Sequence, residues 1–240
     1  MKNIPLTLPQ VLFLVFFWTS SVQSQPRRAP SGGPVAVVVD ERLSALRLTP
    51  DLSGKLLQRI GRGRLLALQA QRRSVDGIIF YRVKVTRRTQ GWIQKEAVVS
   101  RVIAADDQVL LRLIRASEDF DRLARARIFL NIFLNSPLRS EVLLLFGETA
   151  ERAAAKLSMD AARRLPEGAR EAPEFSYFLN YNGLDRYNRQ GVRFVFDRAT
   201  KQFHYDGAAW REIVRRYPSS APSTEARKQL EALRALIHKE

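Results

Sequence analysis

A chain of 240 residues with 40 Lys and Arg against 24 Asp and Glu carries a formal net charge of +16 and no cysteine. The missing cysteines exclude a disulfide framework, an iron–sulfur cluster, a thiol nucleophile and a thioether-linked lipid anchor. Most of the cations are arginine, which suits planar or phosphate-like anions better than lysine does. The charge therefore reads either as contact with an acidic surface or as compositional bias on solvated helix faces.

The chain opens with Lys2, a largely apolar run from Val11 to Trp18, and the small residues Thr19 to Ser24. That order predicts a secretory signal peptide over residues 1–24, cleaved after Ser24, with Val22 and Ser24 three and one before the cut. The apolar run falls short of the roughly 20 residues a spanning helix needs, and Pro5 and Pro9 interrupt its start. A retained membrane anchor is the alternative. The mature chain is expected to have no transmembrane span and to be secreted or periplasmic. Gln25 to Pro34 is rich in Pro, Arg, Gly and Ser and reads as a flexible tether.

From Val35 the pattern predicts short strands. Val35 to Val39 is β-branched and stops at Asp40-Glu41; Leu46-Arg47-Leu48 precedes a Thr49-Pro50-Asp51 turn; Leu56 to Ile60 closes at Gly61-Arg62-Gly63. Leu65 to Leu68 and Ile78 to Val85 are strand-like, with a polar loop between Gln71 and Gly77. In the latter run Ile79, Tyr81, Val83 and Val85 share one face and Arg82 and Lys84 the other. A hairpin loop leads to Gly91-Trp92-Ile93. Five or six short strands within residues 35–101 are expected to close on themselves, since so small a flat sheet buries too little.

This stretch resembles the bacterial SH3-type (SH3b) family. The matching positions are Leu46-Arg47 near Pro50, Gly61-Arg62-Gly63, Phe80-Tyr81-Arg82-Val83, and Gly91-Trp92-Ile93 before Val98; Ala45 stands where the family often has Asn. The resemblance covers about a quarter of the chain. It implies a small all-β SH3-like barrel that binds peptide or cell-wall glycopeptide. Exposed aromatics would make the contact, because a ring offers large area with little entropy to lose. The candidates are Phe80, Tyr81 and Trp92. The spacing places Tyr81 and Trp92 with the buried valines, whereas Phe80 shares the face of Arg82 and Lys84 and is the better exposed contact.

From Ala104 the period becomes helical. Asp106-Asp107 can cap a helix bearing Leu110, Leu113 and Ile114. A second, from Glu118 or Asp119, carries Phe120, Leu123, Ala126, Leu130 and Phe133 and breaks at Asn135-Ser136-Pro137. A third runs from about Leu138 to Leu157, and Ser158 to Leu165 forms a short fourth segment. Trp210 to Tyr217 and Thr224 to Ile237 repeat the grammar. Shifted by 84 residues, Phe133, Ser136, Val142 and Phe146 fall on Tyr217, Ser220, Ala226 and Leu230, so helix pairs near 118–157 and 207–238 read as two copies. The Tyr217-Pro218-Ser219-Ser220 step resembles the first-helix end of tetratricopeptide-type repeats, which implies an α-helical hairpin-repeat domain over 104–240. Between the copies, the aromatics from Phe175 to Tyr181 are expected to pack internally. Residues 192–205 alternate around Asp197 to Thr200 and predict one inserted β-hairpin.

Motifs for catalysis are missing. His204 and His238 lie on unlike elements, and no His-Glu-x-x-His or phosphate loop occurs. No metal ligand set and no cofactor are expected. The Asp106-Asp107 and Asp119-Asp121 pairs open helices, where the macrodipole accounts for them. The expectation is a non-catalytic exported adaptor of the bacterial cell envelope. Its barrel would dock peptide or peptidoglycan, and its repeats an envelope protein. Two alternatives stay open: a basic binder of nucleic acid or anionic glycan, against which export from the DNA compartment argues, and a divergent wall hydrolase.

Overall fold

The computed structural model describes residues 30–165, 173–179 and 183–237, so the expected leader lies outside the described residues. Seven strands come first: β1 (Val35–Val38), β2 (Ala45–Arg47), β3 (Leu56–Arg59), β4 (Leu65–Arg73), β5 (Ile79–Lys84), β6 (Gln90–Gln94) and β7 (Val98–Val99). They form one antiparallel sheet in the order β3-β2-β6-β5-β4-β1-β7. Helices follow: α1 (Asp106–Arg115), α2 (Asp119–Ile132), α3 (Arg139–Arg164), α4 (Glu174–Leu179), α5 (Leu184–Arg189), α6 (Ala208–Arg216) and α7 (Ala221–Ile237). The hairpin of β8 (Phe194–Asp197) and β9 (Gln202–Tyr205) stands between α5 and α6, as the alternation predicts.

Period-2 alternation divides the sheet into two faces. Ala36, Val38, Leu46, Leu66, Tyr81, Val83, Ile93 and Val98 meet in one buried cluster that contains no residue of α1–α7. Val37, Val39 and Val99 point the other way and join the helical core with Leu110, Ile114 and Phe129. β1 is thus buried on both faces, which is why it is an unbroken apolar run rather than an alternating one.

α6 and α7 each start two or three residues before the expected positions, at Ala208 and Ala221, and two boundaries differ by more. β4 runs on to Arg73, into the stretch read as a loop, because its last residues pair with β5 even though their own side chains stay exposed. α3 does not break at Ser158. The Ser158 hydroxyl donates to the Ala154 carbonyl and accepts the Phe203 amide at 2.7 Å, so this buried polar residue is satisfied inside the helix and needs no turn.

The sheet is fastened to the helices by polar groups as well. On α2, Arg125 is 6% exposed. Its Nε donates to the Val39 carbonyl at 3.2 Å and its Nη1 to the Ser117 hydroxyl, while Asp40 and Asp121 carboxylates lie 3.8 Å away. Burial pushes the Arg125 guanidinium down from its ordinary value, against the pull of those two carboxylates. In the Gly61-Arg62-Gly63 step, Gly63 takes a φ of +78° that favours glycine, and Arg62 reaches across to Asp121 at 2.9 Å. Within the helices, α3 is central, packing on α1, α2, α6 and α7. Trp210 of α6 lies against Gly147 of α3 so closely that a Cβ there would overlap the indole.

Arg125→Met should keep the packing volume but lose about 2 kcal/mol of stability, the worth of hydrogen bonds from a charged donor; urea denaturation reads this, and an unchanged midpoint would show that the polar tie is dispensable. Gly147→Val should destabilise by about 1–3 kcal/mol through overpacking against Trp210, read in the same way.

Candidate functional site

Strand register assembles a row of side chains on the outer face of the sheet. Leu56 of β3 pairs with Arg47 of β2, Arg47 with Trp92 of β6, and Trp92 with Arg82 of β5. Directly paired residues project to the same side, so Trp92 stands between two arginines. A third, Arg72 of β4, lies with its guanidinium carbon 5.7 Å from the centre of the Trp92 ring. β4 and β6 flank β5 at about 10 Å from each other, so Arg72 and Trp92 meet over β5. The guanidinium of Arg47 is steadied by donation to the Gly54 carbonyl at 2.8 Å. Trp92 is half-buried, Arg72 and Arg82 are exposed, and Leu56 is 47% exposed at the sheet edge. The result is an indole with one guanidinium over its ring and two further arginines as its strand neighbours, suited to a flat or extended ligand that carries carboxylates.

The three residues singled out from the sequence do not act together. Tyr81 lies in the inner cluster, where burial raises its phenol above the ordinary value. Trp92, expected beside the buried valines, is on the opposite face, because its neighbours Gly91 and Ile93 are the buried ones. Phe80, expected as the exposed contact, is fully buried. It does share the face of Arg82, but Arg72 and Gln94 pair directly with it and the Arg72–Trp92 contact passes over its strand. Alternation reports which side a residue takes and not what lies above it. The sequence reading missed Arg47 and Arg72. The first follows only from the β2–β6 pairing, and the second only from the extension of β4.

The histidines are equally separate. His238 lies outside the described residues. His204 of β9 is buried and its Nδ1 meets Glu151 of α3 at 3.0 Å, while the other Glu151 oxygen accepts the Tyr205 amide at 2.7 Å. Among the described residues no group of three or more His, Cys, Asp or Glu is placed to hold a metal ion, and no helix is long and apolar enough to cross a membrane. Comparison with protein-family models, with curated proteins and with solved structures gave no match.

The Glu151 hydrogen bond raises the His204 pKa, and burial opposes it. A folded value above the unfolded one favours the protonated ring in the native state. That contribution is complete below the unfolded histidine value of about 6.5 and fades as pH rises through the folded value. The difference in Tm between the protein and its His204→Gln variant should therefore shrink from pH 5.5 to pH 8.5. A difference independent of pH would remove the ion pair from the account.

Proposed function

We propose that this chain is a non-catalytic, exported binding protein of the bacterial cell envelope, and that the Trp92 platform is where it holds an anionic peptide or the peptide-bearing wall polymer. The observation that carries the reading is the half-buried indole of Trp92 with Arg72 over its ring and Arg47 and Arg82 paired beside it on the sheet. A preorganised aromatic with guanidinium groups at its edge loses little entropy on binding and selects planar acceptors. We read the β unit as an SH3-like barrel. In support, inner-face side chains from β1, β2, β4, β5, β6 and β7 bury one another without help from any of α1–α7, which a small sheet achieves by curling over itself.

We read the helical part as a tetratricopeptide-like pair of hairpins that docks an envelope protein. α2–α3 and α6–α7 are both helical hairpins in contact through α3. Of the positions matched by the 84-residue shift, Phe133, Val142, Phe146 and Ala226 are buried. The loops at equivalent ends, around Pro137 and Pro222, line a common groove of about 490 Å³. That groove is the surface through which we expect the partner to dock.

Retention on purified peptidoglycan tests the wall reading. The protein should sediment with the polymer, and Trp92→Ala with Arg82→Glu should cut the bound fraction roughly tenfold, as loss of a central aromatic and a charged contact implies. No retention of the unaltered protein would end it. The high positive charge favours a second reading, a general polyanion binder, for which the log of affinity would fall with the log of salt at a slope near −0.9 per phosphate neutralised on duplex DNA.

A further inference from the structure

A small cleft lies apart from the Trp92 platform, between α2, α3 and the first turn of α6. Its volume is about 260 Å³, and Arg127, Asn131, Arg139, Phe146, Tyr205 and Glu212 stand on its walls. The two arginines differ in how their charge is met. Arg139 is buried and donates to the carbonyls of Leu130 and Phe133 and to the Tyr217 hydroxyl, with the Glu212 carboxylate at 3.7 Å. Glu212 also lies 3.4 Å from Arg216, so its charge is shared by two cations.

Arg127 has no carboxylate within 4.0 Å among the described residues. Its Nε donates to the Gln190 carbonyl, and its guanidinium carbon lies 4.8 Å from the centre of the Phe146 ring. Nη2 packs on Gly191 so tightly that a Cβ there would overlap it. Neither Nη has a protein acceptor among the described residues, and the residue lines the cleft. Burial holds the Arg127 guanidinium below its ordinary value, with Tyr205 and Glu212 acting against that effect. Half-buried arginines ordinarily find a carboxylate. Here the fork is fixed on three sides and its remaining edge waits for an acceptor from solution.

We infer that this cleft binds a small oxyanion, a carboxylate or a phosphate group, through the Nη groups of Arg127 with the Asn131 side chain as a second donor. Asn131 is exposed and one helical turn beyond Arg127, so it shares that face of α2 at the mouth of the cleft. Glu212 on the facing wall disfavours a ligand of high negative charge, and the volume admits a headgroup with few attached atoms rather than a polymer.

The test measures Tm of the full chain in chloride, acetate and inorganic phosphate at equal ionic strength and pH 7, with titration calorimetry for affinity. Acetate or phosphate should raise Tm above chloride, and the arm that does so identifies the class of headgroup. Arg127→Gln should weaken binding about 10- to 100-fold, as loss of charge-assisted hydrogen bonds implies, while its Tm in chloride stays equal or rises because a poorly met charge is gone. Asn131→Asp, on the exposed face, should fold normally and repel the anion. Phosphate also stabilises proteins by exclusion from their surfaces, and that part would survive in both variants. The inference is overturned if the unaltered protein shows no anion-specific rise, or if both variants keep the whole of it. Should Arg127→Gln fail to fold, Asn131→Asp decides alone.

Discussion

Arg125 is the point where the two halves of the molecule become one. A buried guanidinium is tolerable only when its donors are met, and here they are met from both sides of the junction. Val39 and Asp40 follow directly on β1, Ser117 belongs to the turn before α2, and Asp121 to α2 itself. The apolar contacts of Val37, Val39 and Val99 with the helices drive association without direction. The arginine supplies direction: it fixes the carbonyl just after β1 against one turn of α2. Ser100 does the same at the other end of the seam, its hydroxyl donating to the Val35 carbonyl and its amide to Asp106 of α1.

Fixing that orientation decides where a ligand can approach the sheet. The outer face is continuous, but the helices cover only the part near β1 and β7, where Val37 and Val99 lie. The part around β2, β6 and β5 stays open, and the half-buried Trp92 is there. An aromatic of that size needs cover or a use. Arg72 gives it partial cover, and Arg47 and Arg82 flank it on the neighbouring strands. The platform is thus a consequence of how far the helices extend over the sheet, not of a separate binding loop.

Much of this was legible in the residues. The unbroken apolar run of β1, the Asn135-Ser136-Pro137 break, and the turn from Asp197 to Thr200 in the β8–β9 hairpin each carry a local signal that the structure obeys. The positions of Trp92 and Phe80 were not legible. Both depend on which strand lies beside which, and the order β3-β2-β6-β5-β4-β1-β7 joins strands that are far apart in sequence. Arg47 and Trp92, 45 positions apart, become neighbours only by that pairing. Ser158 misled for a different reason: a polar residue reads as a helix end unless one knows that a strand amide, that of Phe203, will bond to it.

α2 shows why charge counting alone says little about function. It carries Arg122, Arg125 and Arg127 within six positions, a sequence that looks like a solvated basic face. Arg122 spends its donors on the carbonyls of Ile114, Arg115 and Ser117, which end α1. Arg125 is consumed by the sheet junction. Arg127 keeps both Nη groups without a protein acceptor among the described residues, against an aromatic ring and a backbone that hold it. Three residues of one type on one helix therefore do three different things, separated by a helical twist of about 100° per position. The net charge of the chain measures none of these; what matters for recognition is the small number of guanidinium groups whose geometry is fixed and whose partners are incomplete.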